Sequence, residues 1–296
     1  MTTRSRPWVA LLLATATSLA AACASSTGDA TASSAVGGAS ASTSSPAGVA
    51  TSPAAGPTDT SSATLGTSSA SSSPRDTGPT TSAAGWDVIG TTVRGRPIRS
   101  LTVGHGPRTV LFVGGIHGDE AEGAYATAEL AGAFTAAGLA DAVTLTIIED
   151  ANPDGRAAAT RGNANGVDIN RNFPASNFDT TNPSYGRSPL SQPESRALHD
   201  TIERVDPDLV LVAHSWPDRA FVNYDGPARA LAERFAAASG LPVEESSEIA
   251  PTPGSLGSYV GRDRGTPILT IELRKGSDPQ ADWERIRGAV LAAIAG

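Results

Sequence analysis

The 296-residue chain contains one cysteine, one lysine, one methionine and four histidines, and aromatic residues make up only 5% of it. The single cysteine, Cys23, excludes an internal disulfide. The apolar stretch that begins at Trp8 is too short to cross a bilayer and runs into small residues. Basic residues are outnumbered 22 to 30, for a net charge of −8. That balance argues against nucleic acid and anionic membrane surfaces as partners. With histidine so scarce, one placement asks for a reason: His117 stands three residues before Glu120 in GGIHGDE (114–120), just after the apolar run TVLFV.

The residues fall into three stretches. Residues 1–23 have Arg4 and Arg6, an apolar core and small residues before Cys23, the pattern of an export signal. A lone cysteine directly after SLAAA resembles a bacterial lipobox, which predicts a lipid anchor on Cys23 at the outer face of the cell membrane. Leu19 departs from that pattern, lying four rather than three residues before the cysteine; the alternative is a cleaved signal and a soluble secreted protein. Of the 62 residues 24–85, 55 are Ser, Thr, Ala, Gly or Pro and none is aromatic. Such a stretch buries too little apolar surface to offset its ordering entropy, and reads as a disordered linker spanning about 45 Å on average. Residues 86–296 are enough for one domain, and carry the whole net charge because the three acidic and three basic residues before them cancel.

Within that domain, strands are predicted at 97–104, 108–115, 143–150, 208–215 and 266–274, the second of them nearly continuously apolar. Stripes at helical spacing predict helices at 119–138, 194–205 and 227–240, and a last helix from Asp278 with Pro279 at its first position. Strands alternating with helices predict a single α/β domain with a mixed, largely parallel twisted sheet and helices on both faces. Ligands in such sheets bind beyond the carboxyl ends of the strands. The polar stretch 151–192, long for a loop in a compact domain, is expected to be functional.

Four strand ends deliver candidate residues: His117 and Glu120, then Asn152 to Asp154, then His214, then Glu272. Two histidines and a carboxylate are a usual ligand set for catalytic zinc, which leaves Glu272 free to activate water. Each residue alone is weak. His-x-x-Glu arises by chance, a lone histidine is more often a satisfied core residue, and Glu272 alone reads as a surface charge. Asp154 reads equally as a turn residue of NPDG or as an acceptor that orients His117. His105 and His199 read as exposed or structural.

GGIHGDE, NPDG, GVDINRNFP, YGRSPLSQPES, VAHS and TIEL come in the order of similar motifs in zinc carboxypeptidases of the carboxypeptidase A type. The resemblance covers about residues 86–296. NYDGPA (223–228) and TPGSLGSYVG (252–261) look most like the murein peptide amidase branch. The resemblance implies one zinc held by His117, Glu120 and His214. It implies Glu272 as general base and Arg161 as the arginine of the oxyanion, with Arg156 a nearby competitor. Asn170 and Arg171 would hold the substrate's free carboxylate. Tyr259 does not align cleanly with the family's mobile tyrosine, and a packing role fits it as well. The implied reaction is hydrolysis of an amide bond in murein peptides, between γ-D-glutamate and diaminopimelate. The alternatives are a general metallocarboxypeptidase, an N-acyl amino acid deacylase and a catalytically dead, anchored binding lipoprotein.

Overall fold

The computed structural model describes residues 85–249 and 251–296. The expected export signal, Cys23 and residues 24–84 of the expected linker lie outside the described residues. Among the described residues, eight strands form one sheet: β1 Asp87–Thr91, β2 Pro97–Gly104, β3 Arg108–Val113, β4 Val143–Ile148, β5 Leu209–Trp216, β6 Phe221–Asp225, β7 Val243–Glu245 and β8 Ile268–Arg274. Their order is β1-β2-β4-β3-β5-β8-β6-β7. The central four, β4, β3, β5 and β8, are parallel. The β1–β2 hairpin joins antiparallel at one edge, and β6 pairs antiparallel with β8 near the other. The expected mixed, largely parallel sheet is what the chain forms.

The helices are α1 Glu122–Ala136, α2 Pro153–Ala158, α3 Pro193–Val205, α4 Arg229–Ser239, α5 Ser246–Ile249 and α6 Pro279–Ala295. Alternation along the strands divides their apolar side chains between two cores, because successive residues point to opposite faces. Val110 and Phe112 of β3 join Leu130 and Phe134 of α1 and Trp283 and Ile286 of α6. Leu111 and Val113 join Leu198 and Ile202 of α3, together with Phe173 and Tyr259. Burial on both faces explains why β3 reads as a continuous apolar run. Among the described residues, no helix is long and apolar enough to cross a membrane.

Several boundaries differ by one to three residues from the sequence expectation, and two of them bear on the site. β3 stops at Val113, where Gly114 and Gly115 turn the chain. Helix α1 begins at Glu122 rather than at 119, so Asp119 and Glu120 lie in the preceding turn. The polar stretch 151–192 is held by buried side chains. Asn163 Nδ2 donates to Gln192 Oε1 (2.9 Å) and Glu194 Oε2 (2.8 Å). Glu194 Oε1 in turn accepts from the Val93 amide at 3.0 Å. Asn172 Nδ2 donates to the carbonyls of Tyr185 and Ser188. A buried polar network with its partners in place fixes one loop conformation.

Candidate metal centre

The loop after β3 carries His117 and Glu120 inward, and its glycines make that path available. Gly115 has φ +67°, and a Cβ on Gly118 would lie 1.9 Å from the carbonyl carbon of Gly155. Gly118 therefore lets the NPDG turn pack against the His117 loop. His214 comes from β5 and Glu272 from β8, and the parallel register sets the two side by side. All four side chains belong to residues at most 7% exposed.

The three expected ligands converge. Ligand atoms of His117, Glu120 and His214 lie within 4.8 Å of one another. Glu120 Oε1 is 2.9 Å from His117 Nδ1, and Glu120 Oε2 is 2.8 Å from His214 Nδ1. Oε2 also accepts from the Ser215 amide at 3.0 Å, which fixes the carboxylate. Beyond these three atoms, His117 Nε2 faces Asp168 Oδ1 at 3.1 Å. Two nitrogens and one oxygen, converging from buried side chains, fit zinc. A metal on His117 Nδ1 would replace a proton there and leave Nε2–H donating to Asp168, the orientation that strengthens a ligating imidazole.

The charges suit this role. Burial works to raise the Glu120 carboxyl, but the imidazoles, His214 foremost, hold it far below the usual carboxylate range. Burial likewise works against charge on His117, and Asp168 and Glu120 outweigh it, so its pKa is raised. His214 goes the other way, lowered first by burial. Glu272 is pushed up to about 8, first by burial and then by the negative charge of Glu120. A dication among the three ligands would pull Glu272 back toward ionisation, since opposite charge favours the carboxylate.

Three expectations meet different outcomes. Asp154 does not orient His117: it accepts from the Arg94 amide at 2.9 Å and lies 3.0 Å from Arg96 Nε, tying the NPDG turn to the β1–β2 hairpin. Asp168 holds the position beside His117 instead, and also accepts from Arg161 Nε at 2.9 Å. Its place two residues before Asn170 in GVDINRN was the available signal. Of the two arginines, Arg161 reaches the cluster, with Nη1 3.3 Å from Glu120 Oε1. Arg156 pairs with Asp150 and lines a separate hollow with Trp86 and Arg96. Tyr259 is packed: its ring stacks on Phe173 at 6.1 Å and its hydroxyl donates to Glu203.

Asn170 and Arg171 lie on the 3-10 turn Ile169–Arg171, capped by Asp168. Asn170 Oδ1 accepts from the Leu256 amide at 2.9 Å while its Nδ2 lies 3.2 Å from His214 Nε2. Arg171 Nη1 donates to the Asn170 carbonyl at 2.8 Å. Both residues line a cavity of about 370 Å³ that has His117, Glu120, His214 and Glu272 in its wall. Asn223, Asp225, Ser246, Thr252, Ser255 and Thr270 add polar groups to that wall, alongside Trp216, Pro217 and Ile249.

The zinc carboxypeptidase family model matches residues 82–274 of this chain. Murein peptide amidase A of Escherichia coli (strain K12) is 34% identical over 186 residues, which cover 58% of this chain and 73% of that protein. The Vibrio campbellii protein of the same name is 32% identical over 181 residues, covering 55% and 68%. Among solved structures, murein-tripeptide amidase MpaA from Escherichia coli O157 superposes with a TM-score of 0.59 at 27% identity, covering 72% of this chain and 92% of that one. Thrombin activatable fibrinolysis inhibitor shares the fold at a TM-score of 0.61 and 18% identity, covering 71% and 67%.

Proposed function

The chain belongs to the zinc carboxypeptidase family and is a metallopeptidase or amidase, and from that premise we propose that it cleaves murein peptides at the bond between γ-D-glutamate and diaminopimelate. The observation that carries this reading is the buried His117–Glu120–His214 set with Glu272 beside it, at the head of a cavity. Relatives named murein peptide amidase A support the choice of substrate.

His117, Glu120 and His214 would hold one zinc per domain. Zinc, when bound, supplies a Lewis acid that polarises a carbonyl and acidifies water. The chain's own residues do the rest. Glu272 takes the proton of the attacking water and returns it to the leaving amine. Arg161 stands against Glu120 with its side chain 47% exposed, and donates to the oxyanion as charge develops there. Arg171 gives the guanidinium fork, and Asn170 the amide, that hold the free carboxylate of the substrate. Asp168 keeps the His117 ring in place.

The proposal includes a location. Export, with a lipid on Cys23 and residues 24–85 as a tether, would set the domain beside the cell wall. A Cys23→Ser variant that fractionates with membranes as the wild type does would remove the anchor and leave the enzyme reading intact.

A substrate panel tests the function: murein tripeptide, simple C-terminal peptides and N-acyl amino acids. We expect turnover of the tripeptide to exceed that of the other two. Preference for ordinary C-terminal residues would make the protein a general carboxypeptidase, and preference for N-acyl amino acids a deacylase.

A further inference from the structure

The cavity that begins at Glu272 runs down the antiparallel β8–β6 pair. Phe221 stands opposite Glu272, Asn223 opposite Thr270 and Asp225 opposite Ile268. Asp225 thus lies four residues along the strand from the level of Glu272, about 13 Å at the usual rise. Its side chain is 10% exposed and forms part of the cavity wall. Gly257 of the wall and nearby Gly261 press against it, since a Cβ on either would come within 2.4 or 2.5 Å of Asp225 side-chain atoms.

Asp225 is half of an ion pair. Arg262 Nε donates to Asp225 Oδ1 at 2.8 Å, and Arg262 Nη2 reaches Thr252 Oγ1, also of the wall, at 3.3 Å. Asp225 Oδ2 and Arg262 Nη1 take no hydrogen bond among the described residues. Asp225, in the cavity wall, therefore keeps one free carboxylate oxygen, and its partner Arg262, whose side chain is 41% exposed, keeps free guanidinium N–H groups beside it. An ammonium alone would gain from Asp225 and lose to Arg262. A side chain ending in an ammonium and a carboxylate on one carbon would satisfy both. The seven-carbon side of the proposed substrate ends in that pair.

The geometry points to Asp225 and Arg262 as the specificity-determining pair, reading the zwitterionic far end of the leaving diamino acid. The inference rests on the proposed function for the identity of that amino acid. In it, Asp225 Oδ2 accepts from the ammonium and Arg262 donates to the carboxylate, while Asn223 and Thr270 line the passage between. Groups built to pair with a charge reject analogues that lack it, because the site is then left with unpaired polar atoms.

The test uses the zinc-loaded full chain and three leaving residues: meso-diaminopimelate, L-lysine, which lacks the far carboxylate, and norleucine, which lacks both groups. Each is presented on a γ-D-glutamyl and on an α-linked peptide. Wild type should favour diaminopimelate over lysine by ~10-fold or more in kcat/KM. Arg262→Gln should erase most of that ratio by slowing diaminopimelate release, with norleucine unchanged. Asp225→Asn should slow diaminopimelate and lysine and spare norleucine. Unchanged ratios in both variants, or norleucine falling in parallel with the other two, would overturn the pair. If only α-linked peptides are cut, the proposed function fails, and the same ratios on those peptides still decide the pair. If neither linkage is cut, calorimetry with the three free amino acids decides it: Arg262→Gln must weaken diaminopimelate binding selectively, and equal weakening contradicts the inference.

Discussion

Strand β8 shows how differently the two faces of the sheet are used. Leu269, Ile271 and Leu273 point into the apolar core under α1, α4 and α6. One residue along, Thr270 and Glu272 point to the opposite face and line the cavity. The two sets share a backbone, yet only the second keeps a carboxyl whose ionisation burial opposes. The apolar face holds the strand in register, and that register sets Glu272 beside His214. The polar face carries an energetic cost that the apolar face offsets, as functional sites commonly do.

If the division is as described, substitutions on the two faces separate rate from stability. Glu272→Gln should lower turnover ~100-fold or more while zinc content stays that of wild type, measured by steady-state kinetics and elemental analysis. Turnover within a few-fold of wild type would take Glu272 out of the mechanism. Arg161→Ala should lower kcat ~100-fold, the usual scale for a lost oxyanion donor, whereas Arg156→Ala, whose partner is Asp150, should leave kcat within a few-fold. Equal losses would return Arg156 to contention. On the other face, Ile271→Ala should cost about 2–5 kcal/mol in denaturant unfolding and leave kcat of the folded enzyme unchanged.

A fourth prediction concerns pH. In the metal-free protein the Glu272 pKa is raised from 4.5 to about 8. Between those values the native state holds a proton that the unfolded chain has lost, so this group's contribution to stability is full below pH 4.5 and falls as pH rises toward 8. Glu272→Gln keeps the neutral form at every pH. With chelator present, the variant should therefore gain on wild type by a few kcal/mol at most as pH goes from 5 to 8, followed by thermal unfolding. A gap that stays constant or closes over that range would contradict the assignment.

Much of this was legible in the sequence, and the misses share a cause. The four parallel strands announced themselves by apolar runs, and β2 at 97–104 was legible as a strand without one. Strands β1, β6 and β7 did not, being five, five and three residues long, with β7 entirely half-buried. His117, Glu120, His214 and Glu272 stand out because each follows or ends a strong strand. Asp168 was passed over for Asp154 because both stand in the long polar loop, and only the three-dimensional path of that loop brings Asp168 to His117 Nε2. The start of helix α1 was misplaced because acidic residues in a first turn are a good helix signal. Here Glu120 turns inward to the two histidines instead. The pairing of Asp225 with Arg262 links β6 to the π-helical turn Gly257–Asp263, and no local pattern foretells it.

The central claim, that this is a zinc-dependent amidase of murein peptides, is tested most directly by mass spectrometry of products from purified murein tripeptide. With zinc-loaded protein, free diaminopimelate and the dipeptide ending in D-glutamate should appear; a chelator should abolish both, and added zinc should restore them. Intact tripeptide after prolonged incubation, or the same products at the same rate in chelator, would contradict it.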